Sequence, residues 1–588
     1  GVEWGKSPRW YQRLTYHYKN HFFDDVRVIV SSYDLIKYQF NLPSDLSEDL
    51  GTDSDWTNLA KEIIKDGSFE NACCSMFSIN KYSFTLFNRW NQIDSFQKWL
   101  LWLWTRLQQA KSYAVECAQG CRSPAEFIDE LYCGIMQHLR EANFEQLYYE
   151  RKAILGYLQS VPNERFWEDI SCFGKTDSLA CLTCLTDIER KAIFEIISDV
   201  DFENRGIVLP ILKFVYPKLY FYLNNDMLPN RANLSTAHEQ YFAEYKWLKA
   251  TDTITDTFVR TVQTIALEKG ASVFEMQPRN HFVTEHYDGN TIILFVDGMG
   301  AEYIDYLAYL FSDFDEQQYA ITFEAGFCTL PSVTEINKDF MKGRNTADPP
   351  IRDLDELKHA SNVYPDSLIK QFGILDELKS RVLSSLSGSI NRVIISSDHG
   401  TSRMAVKVRN TEFDHAIPKP DDRVIYKYGR FCEGTQDEPK YPTAISYNDR
   451  LIFADYTRFV QNGTPIDEIH GGASLEEWLV PIITIEKLGM MAHQNVAVKP
   501  VKTIYRPELG TKQVRVVFTI SGMPKESVTA RINGTSFKCQ RDEDTYSFVF
   551  SPSKTDSVLS VTIHDGGILG RFEIQIEQGI KKNASFDI

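Results

Sequence analysis

Two short apolar runs, each stopping at an acidic residue and a glycine turn, constrain this chain more than any other feature. Thr291 to Val296 ends at Asp297-Gly298-Met299-Gly300, and Arg392 to Ser396 leads into Ser397 and Asp398-His399-Gly400. A helical pattern follows the first run at once, with Glu302, Tyr303, Tyr306, Leu307 and Leu310. Continuous apolar strands alternating with helices predict an α/β unit whose mainly parallel sheet is covered by helices on both faces. Ligands of such sheets gather at the carboxyl ends of the strands. Asp297 and the Asp398-His399 pair are therefore predicted to share one edge.

A third segment brings an imidazole to a loop. His470-Gly471-Gly472-Ala473-Ser474-Leu475-Glu476-Glu477 precedes the apolar run Trp478-Leu479-Val480-Pro481-Ile482-Ile483. Two glycines let the backbone turn sharply beside His470, and Ser474 with Glu477 has capping-box spacing. Taken together, two carboxylates and two imidazoles make an oxygen and nitrogen donor set suited to zinc or manganese. Between the strand segments lies Thr329-Leu330-Pro331-Ser332-Val333-Thr334-Glu335. An ion at Thr334 would lower its hydroxyl pKa and make a nucleophile available near neutral pH. Read alone, Thr334 is only a helix N-cap.

At 588 residues the chain exceeds one core, and domain sizes predict roughly three to five units. Residues 1–275 read mainly as helix, for example Phe96 to Trp104, Ser235 to Ala250 and Thr253 to Lys269, with an early strand at Val26 to Val30. Trp99, Trp102 and Trp104 fit buried helix packing. Residues 286–490 carry the α/β texture. Residues 498–588 show short alternating strands with turn signals at Asn533-Gly534 and Gly566-Gly567, which predict an antiparallel β-sandwich of immunoglobulin-like form, read as a docking or stabilising module.

Net charge is -17, from 63 basic and 80 acidic residues, which excludes a general basic nucleic-acid coat while leaving room for a local cleft. The eleven cysteines follow no disulfide framework and fit a reducing, cytoplasmic setting. Cys181 and Cys184 form one CxxC below Cys172, but without a second pair they read as packed thiols. No apolar run reaches a membrane span of roughly 18 residues, so no membrane partner is predicted. The chain opens Gly-Val-Glu without a methionine or a signal-peptide pattern, as a processed protein or a fragment does.

In order, the segments FVDGMG, TLPSVTEIN, SSDHG and HGGASLEEWLVPI resemble the alkaline phosphatase superfamily, most of all its PglZ branch, a component of BREX phage-defence systems of bacteria. The resemblance covers roughly residues 290 to 487, and the three-part layout is similar to that branch. It implies a metal-dependent phosphodiesterase or phosphatase with one or two ions, Zn2+ or Mn2+. It implies that Asp297, Thr334, Asp398 and His399 surround one ion, that Thr334 is the nucleophile, and that His470 is a ligand of the second. It also implies other defence proteins as partners and a nucleic-acid or nucleotide phosphoester as substrate.

The second ion is where the sequence departs from the pattern. The superfamily often supplies an Asp followed four residues later by His. Asp366 is the candidate taken here, with Lys370 at the histidine place, and an ammonium cannot coordinate a cation. His359 or His415 could substitute in space. The alternative function is therefore a catalytically weakened phosphatase-fold scaffold within a defence complex. Arg344, Arg403 and Lys407 are candidate phosphate clamps. A sulfatase is disfavoured because Cys328-Thr329-Leu330-Pro331-Ser332 has the wrong spacing. About 60 residues between Thr334 and Arg392 leave too little room for the lid of a cofactor-independent phosphoglycerate mutase. No nucleotide-loop motif points to direct DNA modification.

Overall fold

The computed structural model describes residues 31–39, 46–224, 234–268, 275–360, 364–418, 423–434, 440–488, 497–508, 511–521, 528–532, 535–542, 545–553, 558–564 and 568–577. Its central sheet has four strands, β1 (Thr291–Phe295), β2 (Tyr319–Phe327), β3 (Arg392–Ser396) and β4 (Leu479–Lys487), in the order β1-β3-β4-β2. β1 and β3 pair in parallel, whereas β4 is antiparallel to both β3 and β2. The sheet is thus mixed, which corrects the mainly parallel expectation. The reason is local. β4 follows directly on the helical turn Leu475–Trp478, with no crossover to carry the chain to the far edge, so it runs back from the edge where β3 ends.

Alternation along the strands explains why both faces are covered. Ile293, Phe295, Ile394 and Ile482 pack on one side with Phe282 and Val283 of the helix Arg279–His286. Leu294, Val296, Val393, Ile395, Ile483 and Ile485 face the other side. There the long helix Asp366–Ser385 presents Leu368, Phe372, Leu375, Leu378 and Val382, the three- and four-residue spacing of an amphipathic face.

That second side merges with the helical region. Its helices run from Ser32–Gln39 to Asp256–Leu267, and its apolar residues join those of the sheet in one continuous cluster. The helix Ser95–Arg106 buries Trp99, Trp102 and Trp104, whose indole nitrogens donate to the Leu50 carbonyl, the Cys121 sulfur and Glu70. The tryptophans are packing residues, as expected. Thr236–Thr251 and Asp256–Leu267 match the two later helices. The strand read at Val26 to Val30 lies outside the described residues.

Two β units complete the chain. Within residues 425–453 a four-stranded antiparallel sheet, unforeseen from the sequence, interrupts the α/β unit between β3 and β4. Beyond Ala497 two sheets of four and five strands enclose their own cluster, including Val516, Phe518, Phe548 and Val561. They are antiparallel apart from one short parallel pairing at Ile504–Tyr505. The turns read at Asn533-Gly534 and Gly566-Gly567 lie outside the described residues. No helix among the described residues is long and apolar enough to cross a membrane.

Candidate metal centre

Strand register alone brings the key loops together. Phe295 lies opposite Ser396 in the parallel pair, so Asp297 and Asp398, each two residues further on, emerge side by side. The Gly298 amide donates to Asp398 Oδ1 at 3.3 Å. In the antiparallel pair, Phe327 lies opposite Leu479. The loop that leaves β2 therefore meets the loop that enters β4, which apposes Thr334 and His470. Residues 345–351 run beside β1, where the Asp297 amide donates to the Ile351 carbonyl at 2.9 Å. The helix Asp353–His359 starts from there.

Two clusters of possible ligands result. Asp297, Asp398 and His399 form one, and Asp355, His359 and His470 the other, with the donor atoms of each within 4.8 Å of one another. Donors bound at ~2.1 Å to one tetrahedral ion lie ~3.5 Å apart, so small adjustments would close either set. The clusters adjoin, because the rings of His399 and His470 stack with centroids 3.9 Å apart. The Thr334 hydroxyl is 3.0 Å from His399 Nε2. Thr334 is the first residue of its short helix and Val333 is the N-cap, so the threonine side chain is not the cap.

Both imidazoles have their tautomer set from behind. His399 Nδ1 lies 3.0 Å from the Gly400 carbonyl and His470 Nδ1 lies 2.8 Å from the Ser332 carbonyl. A carbonyl accepts only, so each Nδ1 carries a proton and each Nε2 is the nitrogen that faces the site. The carboxylates are poised in the same sense. Asp297 Oδ1, Asp355 Oδ1 and Asp398 Oδ2 are buried without a hydrogen-bond donor. Burial and the neighbouring Asp398 and Asp355 carboxylates push Asp297 up to about 8. Burial also works against the Asp355 carboxylate, but His359, 3.4 Å from its Oδ1, and the neighbouring His470 and His399 rings outweigh it and hold its pKa below the usual range. Burial, His399 and the Lys427 ammonium push His470 well down, so it stays neutral.

The loops are rigidly tied. Asn337 Nδ2 donates to the carbonyls of Thr329, Pro331 and Val333, and its Oδ1 accepts from the Thr329 amide. The Ser332 hydroxyl donates to the Gly472 carbonyl at 2.7 Å and accepts from the Gly471 amide at 2.9 Å. Gly471 has φ of 108°, which favours glycine. A Cβ at Gly472 would stand 2.2 Å from Arg430 and 2.4 Å from Glu477, which form a buried ion pair. The capping box of Ser474 and Glu477 is present. Arg279, on the opposite side, donates to the carbonyls of Ser397 and Asp398.

Asp297, Thr334, Asp398, His399 and His470 are thus brought together. Asp366 is not. It pairs with Lys191 at 3.0 Å, away from both clusters. The cluster that includes His470 contains instead Asp355, with His359 four residues on. His415 joins neither cluster. Arg403 and Lys407 both engage Asp252, and Arg344 donates to the Phe340 carbonyl and Thr284, so these three are committed elsewhere. Two other ammonium groups do stand at the clusters. Lys427 Nζ is 2.9 Å from His470 Nε2, and Lys338 Nζ is 4.0 Å from Asp297 Oδ2. Among the described residues no cysteine belongs to a possible ion-holding group.

Comparison with known proteins bears on the helical region. Residues 35–200 match a family model described as a domain of unknown function, DUF7863. No curated protein matches the chain.

Proposed function

We propose that the chain is a metal-dependent phosphoester hydrolase, with an alkaline-phosphatase-like core of the PglZ type, acting in the cytoplasm within a bacterial anti-phage defence system. The observation that carries this reading is the pair of adjoining donor clusters beside a threonine hydroxyl. Three buried carboxylate oxygens there lack a hydrogen-bond donor. Buried acceptors are rarely left so, and an ion is a standard resolution. Asp297, Asp398, His399 and Thr334 would hold one divalent ion, zinc or manganese, and Asp355, His359 and His470 a second. Ions bound there would make the threonine hydroxyl a stronger nucleophile and offset charge on the phosphoryl oxygens.

The chain's own groups do the rest. Asn337 and Ser332 fix the loop so that Thr334 Oγ1 faces the clusters. Thr334 Oγ1, its proton given up to solvent, would form the new bond to phosphorus as the bond to the leaving oxygen breaks in line and that oxygen takes up a proton; water would then release phosphate, or a phosphomonoester from a diester, and return the threonine hydroxyl. Lys427 and Lys338 are placed to meet the negative charge of a phosphoryl group. A phosphoester of a nucleic acid or nucleotide, and other defence-system proteins as partners, belong to the same reading.

One contact favours the second reading, a weakened site in a scaffold protein. The Lys427 ammonium points at the His470 Nε2 lone pair that a second ion needs. Elemental analysis of the purified protein, with turnover of bis-p-nitrophenyl phosphate and p-nitrophenyl phosphate, tests both. The hydrolase reading expects bound divalent ions and an activity that Thr334→Ala abolishes while the ions stay bound. Ion-free protein on which Thr334→Ala changes nothing would overturn it in favour of the scaffold.

A further inference from the structure

Behind the two clusters lies a buried hub of four charges, Lys249, Glu302, Lys358 and Glu468, each at most 1% exposed. Lys249 Nζ is 2.8 Å from Glu302 Oε1 and 2.9 Å from Glu468 Oε1. Lys358 Nζ is 3.8 Å from Glu302 Oε1 and 3.6 Å from Glu468 Oε2. Two cations thus balance two anions.

The hub's members interleave with the proposed ligands in sequence. Glu302 follows the Asp297 turn, Lys358 precedes His359, and Glu468 lies two residues before His470. Lys358 Nζ donates to the Gly298 carbonyl at 2.9 Å and to the Thr401 hydroxyl at 2.8 Å. Thr401, two residues beyond His399, donates to Glu468 Oε2 at 2.6 Å. The Glu468 amide donates to the Lys358 carbonyl at 3.0 Å. Four separate ligand-bearing segments are therefore fastened to one another through these side chains. Two members of the surrounding network come from the helical region. Lys249 sits on the helix Thr236–Thr251, and Tyr222, on Pro217–Leu223, donates to Glu302 Oε2 at 2.6 Å.

We propose that Lys249 is a positioning residue for the ion centre, so that the helical region completes cation binding from behind the site. This rests on reading the two clusters as ion sites. Four buried charges are costly to assemble, and apolar packing already joins the helices to the sheet. What the hub adds is register among the ligand loops. Without Lys249, Glu302 and Glu468 share the single counter-charge of Lys358, and Glu468, two residues before His470, loses its direct link to the helix. Groups that orient metal ligands from behind typically change affinity by about 10- to 100-fold.

The test is Mn2+ binding by calorimetry to the full chain. Because Lys249→Met alone risks misfolding, it is paired with Lys249→Met/Glu302→Gln, which keeps the hub neutral. A control, Lys246→Met/Asp305→Asn, removes the buried ion pair one turn earlier on the same helix, 2.7 Å between Lys246 Nζ and Asp305 Oδ2. Expected is a loss of about ten-fold or more in Mn2+ affinity for the folded Lys249 double variant, with the control close to wild type. Folded Lys249 variants that bind as wild type does, or a control that loses as much, would overturn the proposal. Wild-type protein that binds neither Mn2+ nor Zn2+ would instead refute the ion-site reading beneath it.

Discussion

At the scale of single residues, the informative contrast is between two Asp-x-x-x-His-like spacings. Asp355 and His359 sit four apart on one helix, which places both on the same face. Their spacing was present in the sequence, but within Asp353-Leu354-Asp355-Glu356-Leu357-Lys358-His359 it reads as an ordinary charged helix surface. Asp366 drew the assignment, yet its partner is Lys191 of the helical region, a pairing across 175 positions that no local pattern reveals. Arg403 and Lys407 likewise share a distant partner, Asp252, that no local pattern reveals. His359→Ala and Asp355→Asn are expected to lower ion content or affinity by about ten-fold or more, and Asp366→Ala to leave it unchanged. Equilibrium dialysis against Zn2+ reads this directly, and equal losses in all three would refute the assignment of the second cluster. Asp297 supplies a pH signature. Its pKa is raised by burial and by Asp398 and Asp355, so the folded ion-free chain holds a proton that the unfolded chain releases near pH 4. Stability from this group is present at low pH and is lost as pH climbs from about 4 through about 8. Ion binding must displace that proton, so the rise in melting temperature given by a divalent ion should grow over the same window. A rise independent of pH would argue against Asp297 as a ligand.

At the scale of elements, the strand ends and their loops were legible because apolar runs of five or six residues stop at acidic turns, whatever the rest of the chain does. Their pairing was not. That β4 lies between β3 and β2 and runs against both depends on the helical turn Leu475–Trp478 beginning at the loop edge. The small sheet around residues 425–453 was missed because its strands are two to four residues long, too short for periodicity to register. It nevertheless contributes Arg430 and Lys427. The close fit of these loops makes two glycines sensitive to substitution. A Cβ at Gly400 would fall 2.0 Å from the Glu476 carbonyl oxygen, and one at Gly472 would strike the Arg430–Glu477 pair. Gly400→Ala and Gly472→Ala should each destabilise the chain by about 1–3 kcal/mol, as overpacked sites do. Urea titration reads the cost; unchanged midpoints would mean the loops yield far more easily than the contacts indicate.

At the scale of the whole molecule, packing divides the chain differently from its sequence texture. Composition separates residues 1–275 from 286–490, yet one apolar cluster runs from Tyr33 through Trp247 to Ile485, and the buried Lys249 hub spans the same boundary. The helical region and the α/β unit therefore share a core, and regions that share a core unfold together. The C-terminal sheets differ, because their cluster contains residues from Tyr505 to Ile576 alone. Calorimetry should accordingly show two transitions, one for residues up to about 488 and a second for the sheets. A chain ending at Leu488 should keep the first transition and its divalent-ion affinity, since Asp297, Asp355, His359, Asp398, His399 and His470 all precede the cut. A single transition for the full chain, or loss of ion binding on truncation, would mean that the C-terminal sheets support the centre through contacts stronger than their separate core implies.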